Sequence, residues 1–253
     1  MTTQARQHPT PHIQVGPPAS PPRRRNGHHV PSWALKTTMA ASGAVWAAFV
    51  AIHLFGNLKV FQGAEAFNTY AAWLRTAFYP LLPKESVLWA MRIVLAAGLV
   101  VHVAAAAMLW ARGRRARGPF RARIHGTRSW GAWLMPVTGV VLLVFIVGHV
   151  LDLTIGLAPI ATQDFTHPAD GATHAYGNLV ASFRRPLAAW SYVAVMLLLA
   201  VHIAKGFTTM AVDLGVLGSR WRASFLVVGA LLAVAILLGN ATIPVLVQLG
   251  VLA

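Results

Sequence analysis

Past residue 31, charged positions cut the chain into long uncharged stretches. Between Lys36 and Lys59 lie 22 uncharged residues, between Arg92 and Arg112 lie 19, between Arg128 and Asp152 lie 23, and between Arg185 and Lys205 lie 19. The 31 residues after Arg222 carry no charge at all. A helix needs about 20 apolar residues to cross about 30 Å of hydrocarbon. The pattern therefore predicts five transmembrane helices, near 34–58, 86–111, 131–154, 186–211 and 223–248. Period-two alternation is absent, which argues against a β-barrel. Pro136 falls early in the third span, and Pro244 late in the fifth, where it is expected to bend the helix. The segment 64–79 (AEAFNTYAAWLRTAFY) is amphipathic, aromatic and too polar to span. It predicts an interfacial helix after the first span. The expected fold is an all-α membrane protein, with the five-helix domain occupying 32–253.

Residues 1–31 have no apolar period. They hold seven of the 15 prolines and the run Arg23-Arg24-Arg25, a composition expected of a disordered basic tail. No apolar stretch follows the N-terminus directly, so this is not a secretory signal.

Composition supports the membrane assignment. Charged residues are 11% of the chain, against about 25% in soluble domains, and the mean hydropathy is +0.60. A net charge of +15 would elsewhere suggest nucleic acid. Here it belongs to the ends of membrane helices, and no nucleic-acid partner is expected. With the N-terminus inside, 15 of the 21 lysines and arginines lie on the inner side, seven of them arginines in the loop 112–128. The positive-inside rule thus places the N-terminus in the cytoplasm and the C-terminus outside. The arginine-rich loop sets topology, and docking of a cytoplasmic partner or anionic lipid is a second use open to it. There is no cysteine. Disulfides and any cysteine-held cluster made by this chain alone are excluded.

Of the 11 histidines, seven (His8, His12, His28, His29, His125, His167, His174) lie in the tail or loops and read as solvated. The other four, His53, His102, His149 and His202, lie one in each of the first four spans. Imidazoles in hydrocarbon are costly and point to function. Counted at 1.5 Å per residue, His53 and His149 lie about 21–24 Å from the inner edge, and His102 and His202 about 14–15 Å. They form two pairs at two depths, His53/His149 nearer the outside and His102/His202 nearer the inside. Two imidazoles facing at one depth supply the two axial ligands of a six-coordinate haem iron. Gly43, Gly98, Gly139 and Gly148 share these helices, where small residues give a flat ring room to approach the backbone or let the helices pack closely.

These residues resemble a known family, the single-chain cytochrome b membrane anchor of succinate dehydrogenase and fumarate reductase. The likeness lies in Ser42-Gly43, His53-Leu54-Phe55-Gly56-Asn57-Leu58, Phe67-Asn68 and Tyr70-Ala71. It continues through Arg128-Ser129-Trp130, Gly139, Phe145 and Gly148-His149-Val150-Leu151-Asp152. It ends with Tyr192 and Ala200-Val201-His202-Ile203-Ala204-Lys205-Gly206-Phe207. It covers about residues 32–212. The resemblance implies a complex in which a flavoprotein subunit oxidises succinate and an iron–sulfur subunit passes electrons on. This chain anchors both to membrane lipid and presents a quinone. It also implies two haems b, held by His53/His149 and His102/His202, and no activity for the chain alone. The arginine- and alanine-rich composition suggests a bacterium of high GC content, with menaquinone as the quinone and the plasma membrane as the location. Ser42, Arg128, Ser129 and Trp130, polar residues near the inner edge, are the candidate quinone contacts. One alternative is a Rieske-type [2Fe–2S] centre at one histidine pair, with cysteines from a partner subunit. Another is a purely structural anchor, with quinone reduced at the iron–sulfur subunit. A transporter is disfavoured because no repeat is visible between the halves.

Overall fold

The computed structural model describes residues 30–117, 127–169 and 172–253, with residues 117 and 127–132 as backbone only. The predicted tail 1–31 therefore lies almost wholly outside the described residues, as does most of the arginine-rich loop. Seven α-helices make up the described chain: α1 (Ser32–Asn57), α2 (Ala64–Thr76), α3 (Ser86–Arg117), α4 (Thr127–Val150), α5 (Ala175–Phe183), α6 (Pro186–Asp213) and α7 (Ser219–Gln248). A 3-10 turn, Leu58–Gln62, extends α1, and a π turn, Leu151–Ile155, extends α4. Five segments are long and apolar enough to span a membrane: Ser32–Gln62, Ser86–Ala116, Trp133–Ile155, Pro186–Asp213 and Ser219–Gln248. These are the five predicted spans. The last begins four residues earlier than expected, because α7 takes Arg220 and Arg222 into its first turn. A charge marks the membrane edge and not the helix end.

The outside of the bundle is apolar. Val140, Val144 and Val147 make one exposed stripe along α4, and Val100, Val101, Leu231 and Leu238 are likewise exposed. Lipid removes the penalty that water would impose on such a surface, so helix association rests on close packing. α6 and α7 pack most closely, and Gly229 makes this possible: a Cβ there would sit 2.5 Å from the Cβ of Phe207. α1 lies along α3, and α4 along α6, while α3 and α4 meet at few points. Pro136 and Pro244 sit inside α4 and α7, which both continue through them. Pro244 is fully buried against its neighbours, which is how membrane helices tolerate the lost hydrogen bond.

At the end where α1 starts and α6 finishes, Lys36 pairs with Asp213 at 2.8 Å, and the Arg112 guanidinium donates to the Ser32 hydroxyl at 3.0 Å. At the other end α2 forms as predicted but stops at Thr76, ahead of Pro80, which disfavours helix in the residue before it. α5 was not predicted. Its Tyr176, Leu179, Val180 and Phe183 recur at helical spacing, and all but Tyr176 are buried with Val60, Ala189, Ile243 and Val247.

Candidate functional site

At the level nearer the Lys36–Asp213 pair, called inner after the expected topology, His102 (α3) faces Ser42 and Gly43 of α1, and His202 (α6) faces Thr138 and Gly139 of α4. The Ser42 hydroxyl donates to the Thr38 and Met39 carbonyls at 2.8 and 3.2 Å, which uses its one proton. It therefore accepts from His102 Nδ1–H at 3.2 Å, and the Met39 carbonyl accepts from the same nitrogen at 3.1 Å. The Thr138 hydroxyl likewise donates to the Leu134 and Met135 carbonyls at 2.8 and 3.1 Å and accepts from His202 Nδ1–H at 2.9 Å. In both imidazoles the proton is thereby held on Nδ1, and the Nε2 lone pair is left free as a ligand. Glycine makes room beside His102, where a Cβ at Gly43 would lie 3.2 Å from Cε1, whereas a Cβ at Gly139 would lie 3.7 Å from His202 Cε1, an ordinary contact. Gly98 faces the Trp46 indole instead, and nothing lies within 4 Å of a Cβ at Gly148. The two inner rings are not in ring contact with each other.

At the other level, called outer after the expected topology, the rings do meet. His53 and His149 have centroids 5.9 Å apart, with planes at 83°. Phe49 stacks on His53 at 5.4 Å and Phe145 on His149 at 5.7 Å, fixing both rings from the side. His149 is held further by a buried polar cluster. Asp152, 3% exposed, accepts from Ser182 at 2.6 Å, Arg185 at 2.7 Å and Tyr192 at 3.2 Å. Tyr192 spends its proton on Asp152, so its oxygen accepts from His149 Nδ1–H at 3.4 Å. Here too a hydroxyl with its proton committed elsewhere holds Nδ1 and frees Nε2. His53 has no such hydrogen bond and is oriented by aromatic packing alone.

The two levels expose an internal repeat that contradicts the expectation of unrelated halves. Ser42-Gly43 precedes His53 as Thr138-Gly139 precedes His149, and in both cases the hydroxyl residue lies 11 positions upstream. Each pair of helices, α1/α3 and α4/α6, is one hydroxyl–glycine–histidine helix with a second histidine helix against it. Sequence reasoning missed this because the repeated positions are few and sit among unrelated apolar residues. It also missed Asp152, Ser182, Arg185 and Tyr192 as one cluster, although Asp152 is a carboxylate at the end of an apolar run.

Of the candidate quinone residues, Ser42 is buried and committed to His102 and the α1 backbone. The side chains of Arg128, Ser129 and Trp130 lie outside the described residues. Trp46 Nε1 is the one buried side-chain polar atom without a partner among the described residues, and it lies between α1 and α3 beside Gly98.

Fold and site together define a multi-pass membrane protein that carries paired histidines inside its bundle. A family model described as the succinate dehydrogenase/fumarate reductase transmembrane subunit matches residues 111–239, about half of the chain, from the end of α3 into α7. The chain belongs to that family. Among curated proteins and solved structures nothing matches it.

Proposed function

We propose that this chain is the membrane-anchor and electron-transfer subunit of a bacterial succinate:quinone oxidoreductase, with one haem b between His53 and His149 and another between His102 and His202. The observation that carries this reading is the repeated arrangement that leaves Nε2 free on His102, His202 and His149. The outer pair has the spacing such a group needs. Two bonds of about 2 Å to a shared metal, plus the ring radii, separate imidazole centroids by about 6 Å, and His53 and His149 stand at 5.9 Å. No three His, Asp or Glu side chains converge among the described residues. Two imidazoles per centre therefore suit a metal whose other ligands come with it, as a macrocycle provides. Gly43 and Gly139, the sparse contact between α3 and α4, and the unpartnered Trp46 N–H agree with a flat ring that bears polar edges.

When bound, haem iron carries one electron at a time between Fe(II) and Fe(III). The chain's own residues do the rest. Ser42, Thr138 and Tyr192 hold Nδ1–H and so keep each ring turned and basic. Phe49 and Phe145 keep water from the outer pair. Succinate oxidation belongs to a flavoprotein subunit and the incoming electrons to an iron–sulfur subunit, both expected at the inner end. The inner pair lies about 7–9 Å closer to that end than the outer pair, by rise per residue. Quinone, menaquinone by composition, is placed near Arg128, Ser129 and Trp130, which open α4 at the same end.

A visible spectrum of the purified complex tests this reading. Two reducible b-type absorbances are expected. A Rieske-type paramagnetic signal without them would transfer the inner pair to an iron–sulfur centre, and neither signal would leave a structural anchor. A reporter fused after Ala253 tests orientation. It should be active only on the outer side, because five spans from a cytoplasmic start end outside, and activity inside would overturn that topology.

A further inference from the structure

At the end of the bundle far from the Lys36–Asp213 pair, α2 and the turn before it enclose an open trough of about 620 Å³, lined by Lys59, Gln62, Glu65, Thr69, Tyr70 and Trp73. It belongs to none of the sites described above. Its floor is built in place. Gly56 admits Tyr70 so closely that a Cβ there would lie 2.7 Å from the ring. Trp73 stacks on Tyr70 at 5.9 Å, and the Lys59 ammonium stands 5.5 Å from both the Phe55 and Tyr70 centroids. The trough carries one cation and one anion that do not pair with each other. The ion pairs among the described residues are Lys36–Asp213, Arg75–Glu85 and Arg185–Asp152. Neither the Lys59 ammonium nor the Glu65 carboxylate makes a hydrogen bond within the described chain. Along α1, toward the middle of the bundle, Phe55 and Ile52 are about 60% exposed, a greasy track one turn and two turns from Lys59.

We propose that this trough binds the headgroup of a phospholipid bearing a primary ammonium, with its phosphate on Lys59, its ammonium on Glu65 and an acyl chain along Phe55 and Ile52. The charges select it. A phosphate alone satisfies Lys59 and leaves Glu65 beside an anion. A quaternary ammonium brings the positive charge but no N–H to donate to the carboxylate. Tyr70 and Trp73 sit where aromatic side chains meet headgroups.

The test is native mass spectrometry of the purified complex after exchange into phosphatidylethanolamine, phosphatidylcholine or phosphatidylglycerol of matched chains. Wild type should retain phosphatidylethanolamine about tenfold over the other two, one charge-assisted hydrogen bond's worth. Glu65→Gln should abolish that preference, and Lys59→Gln should lower retention of phosphatidylethanolamine and phosphatidylglycerol alike. Both side chains lie outside the buried core, and bound lipid is counted directly, so the result does not depend on the haem assignment. Equal retention of all three lipids, stronger retention of phosphatidylglycerol, or an unchanged preference in Glu65→Gln would each overturn the proposal.

Discussion

Replacing His102 or His202 with alanine should remove one and the same absorbance, and replacing His53 or His149 should remove the other. Each centre in the proposed arrangement has a single imidazole on either face, so loss of either Nε2 leaves an iron with one protein ligand. Alanine is the best helix former, and each histidine lies inside a long helix whose packing rests on other residues. The four variants should therefore insert and assemble while losing half of the spectrum. A milder set reads the hydrogen bonds. Thr138→Val keeps the volume but cannot accept from Nδ1–H. It should lower occupancy of the inner centre by about ten- to a hundredfold, the usual cost of losing an outer-shell partner. The decisive comparison is His102→Ala against His53→Ala. If these two, and not His102→Ala and His202→Ala, lose the same band, the pairing by depth is wrong. Suppose instead that His102→Ala assembles and reduces quinone at the wild-type rate. Then the centre lies off the main electron path and the anchor is structural.

The spans were legible because lipid imposes a simple rule. Charge is excluded over about 30 Å, so the distances between charges reveal the helices. The expected histidine depths come from the same count, and in the structure the rings of His53 and His149 are in contact. The axial count says nothing about which way a ring turns. Ser42 was singled out for its place near the inner edge, yet its hydroxyl is spent on Thr38 and Met39 and accepts from His102. Only rotation about α1 and the approach of α3 put those atoms together. The repeat of Ser42-Gly43…His53 in Thr138-Gly139…His149 was on the page as sequence. Its meaning needed the knowledge that each hydroxyl meets the histidine of the next long helix. α5 was not legible: Tyr176, Leu179, Val180 and Phe183 recur at helical spacing, but nine residues between polar stretches fall below the length at which a periodic pattern stands out.

Asp152→Ala should be the most damaging single change away from the histidines. The carboxylate is 3% exposed and takes donors from Ser182, Arg185 and Tyr192. Removing one partner of a fully buried ion pair costs about 3–5 kcal/mol. The Arg185 side chain is 35% exposed and keeps its bond to the Ile160 carbonyl, so solvent recovers part of that charge and a loss of about 2–3 kcal/mol is expected. The loss would appear as a lowered melting temperature of the complex in detergent. The damage should also be local in the spectrum. With Asp152 gone, Tyr192 is free to turn its proton toward His149 Nδ1. That disfavours the tautomer which leaves Nε2 free, so the outer absorbance should weaken while the inner one, held by Ser42 and Thr138, stays. Tyr192→Phe separates the two effects. It leaves Asp152 with Ser182 and Arg185, so stability should fall by only about 1 kcal/mol, yet the outer absorbance should weaken as in Asp152→Ala. An Asp152→Ala complex with unchanged melting and an unchanged outer band would show that this cluster neither holds the end of the bundle together nor orients His149.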